Sequence, residues 1–76
     1  MDIIVYSQKN CPKCATIKKE LEDNGISFAY IDDNEATTNK ALELKSKNKL
    51  VEMVAPIVLI DGEQVKHKNL RERIGY

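Results

Sequence analysis

Apolar residues recur along this chain in three rhythms. Near the start, Ile3-Ile4-Val5-Tyr6 is an unbroken apolar, β-favouring run, the pattern of a strand covered on both faces. From Pro12 the rhythm changes. Cys14, Ile17 and Leu21 recur every three or four residues as far as Asn24-Gly25, so the spacing predicts a helix over 12–24 that opens on a proline and stops at a glycine. Ile26, Phe28 and Tyr30 then alternate with Ser27 and Ala29, predicting a strand over 26–31 with one buried face. At these strand positions Tyr6 and Phe28 read as core aromatics.

A second helix follows, capped by Asp33 or Asn34, with Glu35 in its first turn where a negative charge suits the helix dipole. Its inner stripe is Ala41, Leu44 and either Thr37 or Ala36, and it ends between Ser46 and Lys49. The run "KSKNK", residues 45–49, reads as a solvated helix end and not as a basic patch. "LVEMVAP", residues 50–56, is expected to be an extended connection, because Pro56 keeps Ala55 out of the helical region, and Met53 within it is expected to pack. Ile57-Val58-Leu59-Ile60 is a second buried strand. Asp61-Gly62 marks a hairpin turn into a polar edge strand, Gln64 to Lys66, whose lysine discourages pairing by other chains. Asn69 and Glu72 have capping-box spacing, so Leu70 to Ile74 is expected to form a short closing helix.

The element order β-α-β-α-β-β-α makes an α/β fold, a four-stranded mixed sheet flanked by helices. With 76 residues there is room for one domain only. Hydrophobic residues at 42% and charged residues at 32% suit a small soluble domain. Lysine plus arginine equals aspartate plus glutamate, twelve each, so no net field draws the chain to nucleic acid or to an anionic membrane. No apolar run is long enough to span a bilayer and no leader pattern opens the sequence, which makes the expected location cytoplasmic. A monomer is expected.

In that reducing compartment, the two cysteines, Cys11 and Cys14, are expected to be catalytic, redox-sensing or metal-binding, not a permanent bridge. So short a loop also makes a weak staple, because cross-linking stabilises less as the closed loop shrinks. Cys11 stands at the predicted start of the first helix, where unpaired backbone N–H groups and the positive dipole end favour a thiolate. Cys14 lies one turn on, on the same face, within reach of the first sulfur. Pro12 fixes the turn and Lys13 adds a positive charge. A strand, C-x-x-C and a helix in succession form the context of a thioredoxin-like redox motif. The order of events is attack by Cys11 on a substrate disulfide, then release by Cys14, leaving a Cys11–Cys14 bridge for an outside reductant to reset. No bound cofactor is required. The rival is metal. One chain offers only two cysteines and His67, too few for a structural zinc site, but two chains pooling cysteines around zinc or an iron–sulfur cluster would make a dimeric metal module. His67 itself reads as a solvated surface residue on or near the edge strand, with no partner identifiable.

With "YSQKNCPKC" after the first strand and "VAPIVLIDG" near the third, the chain resembles the glutaredoxin family over essentially its whole length. The resemblance implies a thioredoxin fold and thiol–disulfide oxidoreductase activity. The family's usual C-P-Y-C is matched by Cys11, Pro12 and Cys14, with Lys13 in place of tyrosine. Val54-Ala55-Pro56 aligns with the family's T-V-P segment, which implies a cis Ala55–Pro56 bond and a substrate wall whose backbone groups, those of Ala55, pair with an extended thiol substrate. Lys66-His67 and Asn69 stand where the family usually has a Gly-Gly pair followed by aspartate against glutathione, and Gln8 stands where many members carry a lysine. The implied partners are disulfide-containing proteins and, as reductant, glutathione or a flavin-dependent disulfide reductase such as thioredoxin reductase, as for the small redoxins that serve ribonucleotide reductase.

Overall fold

A computed structural model describes all 76 residues, Met1–Tyr76. The elements in chain order are β1 (Ile3–Ser7), α1 (Pro12–Asp23), β2 (Ala29–Asp32), α2 (Asn34–Ser46), β3 (Ile57–Ile60), β4 (Glu63–Val65), a 3₁₀ turn (His67–Asn69) and α3 (Leu70–Ile74). The strands lie in the order β2-β1-β3-β4. β1 runs parallel to β2 and antiparallel to β3, and β4 returns antiparallel to β3. The two unbroken apolar runs are thus the two central strands, each obliged to bury both faces.

Alternate side chains of those strands feed separate layers. Ile3, Val5, Val58 and Ile60 pack with Ile17 and Leu21 of α1 and Leu70 of α3. Ile57 and Leu59 pack on the other face with Ala41 and Leu44 of α2, flanked by Ile4 and Tyr6. The helices end as their sequences dictate. Gly25 takes φ 67° beyond α1, and the amides of Gly25 and Ile26 close on the carbonyls of Glu22 and Leu21. Asn48, at φ 57°, does the same for α2. Asp61 (φ 51°) and Gly62 (φ 86°) form the hairpin turn between β3 and β4, where both central residues need positive φ.

Asp33 is the cap of α2, its Oδ1 accepting from the amides of Glu35 and Ala36, and Thr37 is the buried member of the inner stripe. Residues 45–49 are all exposed, as a solvated helix end should be. Four expectations need correction. The strand predicted from residue 26 begins at Ala29, because β1 offers its first parallel partner there; Ile26 and Phe28 still pack against the larger core from irregular backbone. The edge strand is Glu63–Val65, and its middle residue, Gln64, is buried. Met53 does not pack: it is 59% exposed. Asn69 makes no side-chain cap; the 3₁₀ turn leads directly into α3, with the Asn69 amide already donating to the Lys66 carbonyl.

Candidate redox site

The redox turn grows from the end of β1. Ser7 is buried and tied from two neighbouring elements: Thr37 Oγ1 of α2 donates to the Ser7 carbonyl (2.6 Å), and the Tyr30 hydroxyl of β2 donates to Ser7 Oγ (2.8 Å). The Lys9 amide donates to Asn34 Oδ1 (2.9 Å) at the start of α2. Asn10 then takes φ 58°, a left-handed conformation that asparagine tolerates. Sequence reasoning does not find Ser7, Tyr30 or Asn34 as supports of this turn. Each bond joins residues more than 20 positions apart, and no local pattern announces it.

Cys11 follows as the N-cap of α1, with extended backbone and Pro12 in the first helical turn. Its Sγ accepts from the Cys14 amide (3.2 Å), so sulfur occupies the place usually taken by a serine or aspartate oxygen. A thiolate there meets an unpaired amide and the positive end of the dipole. Cys11 and Cys14 are joined as a disulfide, with their Cα atoms 5.3 Å apart. Their surroundings differ sharply: Cys14 is 0% exposed, whereas Cys11 lies half-buried in the wall of an open cleft of about 500 Å³. Of the two sulfur-bearing residues, only Cys11 lines the cleft.

Gln8, Lys9, Asn10, Pro12 and Lys13 line the same side of this cleft in sequence, and Met53, Val54 and Ala55 supply the rest. Lys9 and Lys13 are its charged residues, and no carboxylate lines it. The Ala55–Pro56 peptide is cis and Pro56 is buried. The structure therefore brings Cys11, Pro12, Lys13, Val54 and Ala55 together, with Cys14 and Pro56 directly behind. Lys66 and His67 stand apart. Lys66 is exposed and lines a different hollow with Val51, Gln64 and Arg73.

His67 is not the solvated residue expected. Its side chain is 12% exposed, and Nδ1 lies 2.9 Å from Glu52 Oε1, which also accepts from the His67 amide at 3.1 Å. The partner lies 15 residues away, outside any helical or strand repeat, which is why no spacing reveals it. Burial by itself raises the Glu52 carboxyl, but the two donations from His67, with its charge and that of Lys66, outweigh it and hold the group below its ordinary value of 4.5. A depressed carboxyl contributes stability that is present above its unfolded value and is lost as pH falls through the folded one. Glu52→Gln is accordingly expected to flatten the loss of stability below about pH 5 relative to the parent chain, as read by denaturant midpoints at a series of pH values.

No cluster of three or more histidine, cysteine, aspartate or glutamate side chains that could hold a metal ion is present. No helix is long and apolar enough to cross a membrane.

A family model described as glutaredoxin matches residues 3–65. Among solved structures, glutaredoxin 1 from Francisella tularensis, crystallised with cacodylate, superposes with a TM-score of 0.71 at 23% identity, covering 99% of this chain and 98% of that one. The thioredoxin-like protein BC3987 superposes at 0.66 with 27% identity, covering 92% and 96%. A buckwheat glutaredoxin–glutathione complex superposes at 0.69 with 20% identity, covering 96% of this chain and 69% of that one. No curated protein matches the chain.

Proposed function

Because the chain belongs to the glutaredoxin family and is a thiol–disulfide oxidoreductase, we propose that it reduces protein disulfides and glutathione mixed disulfides, with Cys11 as nucleophile and Cys14 as resolving thiol. The observation that carries this assignment of roles is the unequal exposure of the two sulfurs, one at the cleft wall and the other fully buried. The Cys11 thiolate attacks one sulfur of the substrate, and the other sulfur leaves as a thiolate that takes a proton from solvent. Cys14 gives up its proton and attacks Cys11 Sγ, expelling the second substrate sulfur and closing the intramolecular bridge. Two electrons and two protons pass to the substrate. An outside dithiol, or two thiol molecules, returns them.

Pro12 and the N-terminal turn of α1 hold Cys11 in its capping position, and Lys13 adds positive charge beside it. Val54 and Ala55, backed by Pro56, form the opposing substrate wall. Met53 and Val54 are 59% and 55% exposed and give that wall an apolar rim, which favours a polypeptide over a small polar disulfide. One structural neighbour was solved with glutathione, which supports glutathione as a reductant; a flavin-dependent disulfide reductase is the alternative. A reducing, cytoplasmic setting and a monomeric state suit this chemistry. The dimeric metal module has less support, because the full burial of Cys14 turns one of the two required sulfurs away from a second chain.

Cys14→Ser is expected to retain attack but to stall after the first exchange. The variant should accumulate one-to-one mixed disulfides with protein substrates, visible as adducts under non-reducing conditions and removed by excess small thiol. Absence of adducts with a still-active Cys11 would overturn the order of the two cysteines. Turnover with glutathione and its reductase, compared with turnover with thioredoxin reductase, decides the reductant.

A further inference from the structure

The segment from Lys49 to Pro56 has no helix or strand; Leu50 packs on the core and Pro56 is buried at its two ends, but between them Val51, Met53 and Val54 are 45%, 59% and 55% exposed, so core burial does little to hold its middle. Polar side chains hold that middle instead. Gln64 Oε1 accepts from the Val51 amide (2.7 Å) while Gln64 Nε2 donates to the Glu52 carbonyl (2.9 Å). One amide side chain thus satisfies a backbone donor and a backbone acceptor on two successive residues. The Glu52 carboxylate in turn takes both donors of His67, backbone and ring. Gln64 is 7% exposed, and the His67 and Glu52 side chains 12% and 17%, so water competes poorly for these bonds.

Gln64 belongs to β4, whose register with β3 places it opposite Leu59; β3 pairs with β1, and β1 ends in the redox turn. The clamp therefore references the loop to Cys11 through the rigid sheet. We propose that Gln64 and the Glu52–His67 pair are positioning residues for protein-disulfide reduction, fixing the Met53–Ala55 wall at the height over Cys11 that seats a polypeptide. The inference rests on the reading of Met53–Ala55 as the substrate wall.

The test uses two substrates under the same small dithiol reductant, at a temperature well below the unfolding transition of every variant: a peptide with an internal disulfide flanked by apolar residues, and bis(2-hydroxyethyl) disulfide. Gln64→Ala and His67→Ala should each raise KM for the peptide about ten-fold, a change of about 1.4 kcal/mol in binding, with kcat within about two-fold. The kcat/KM for the small disulfide should stay as it was. His67→Asn, whose side-chain N–H falls near the place of ring Nδ1–H, should recover the parent KM. Exchange with solvent should quicken for the Val51 amide in Gln64→Ala and for the backbone amide at position 67 in His67→Ala.

Equal losses on both substrates, or failure of His67→Asn to recover the KM where His67→Ala raises it, would reduce the clamp to a stability element and overturn the proposal. Met53→Asp and Val54→Asp separate the two levels. If they raise the peptide KM while the clamp variants do not, the clamp inference alone falls. If none of these variants moves it, the substrate wall itself has been misassigned.

Discussion

Cys11→Ser is expected to abolish disulfide reduction, while the fold and its thermal transition should stay close to those of the reduced parent chain. A serine oxygen at the N-cap of α1 still accepts from the residue 14 amide, since serine is among the best capping residues, so the helix keeps its start. What disappears is the proposed nucleophile. A serine hydroxyl is not ionised at neutral pH and forms no stable sulfur–sulfur analogue with substrate, and Cys14, at 0% exposure, cannot take its place from behind the turn. Turnover should fall by several orders of magnitude, to the rate of the reductant alone, with both protein and small disulfides. Alkylation of the reduced parent chain should give the matching result, with Cys11 labelled rapidly and Cys14 only after unfolding. Full turnover in Cys11→Ser would refute the mechanism outright, however well the fold is preserved.

The largest expected effect on stability comes from the opposite end of the same helix. Leu21 is fully buried, in the layer where α1 meets Val5, Val58 and Ile60 of the two central strands. Leu21→Ala removes three methylene-sized groups from a close-packed site that can relax only partly, at a cost of about 3 kcal/mol. A domain this small has a total stability of about 5 kcal/mol, so the variant should lose more than half of it and its Tm should fall by more than about 10 °C. Leu42→Ala is the control. Leu42 is 53% exposed, and its truncation should change stability by less than about 0.5 kcal/mol. Comparable losses in the two variants would mean that the core is not where the packing puts it.

Residues whose roles depend on near neighbours are legible in the chain itself. The cap at Cys11, the proline in the first helical turn, the stop at Gly25 and the Asp61-Gly62 turn all follow from backbone preferences within a few positions. The alternation at Ile26, Phe28 and Tyr30 correctly marks the side that packs, although hydrogen-bonded pairing with β1 starts only at Ala29. Departures from expectation gather in residues 50–69, where local preference is weak and long-range polar bonds decide. Met53 is expected inside and lies outside; Gln64 is expected at a polar edge and is buried; His67 is expected in solvent and is paired with Glu52.

Sequence alone determined the α/β class, the two central strands and the placing of two cysteines at a helix start, because each of these is written in local periodicity and backbone preference. Which sulfur faces the cleft, and what holds the wall across from it, follow from packing between elements far apart in the chain. Those outcomes depend on side chains 12 to 30 residues apart meeting at fixed distances, as in the bonds from Gln64 to Val51 and Glu52 and from Thr37 to Ser7. Such meetings exist only once the sheet has set the register between elements, and no repeat along the chain encodes them.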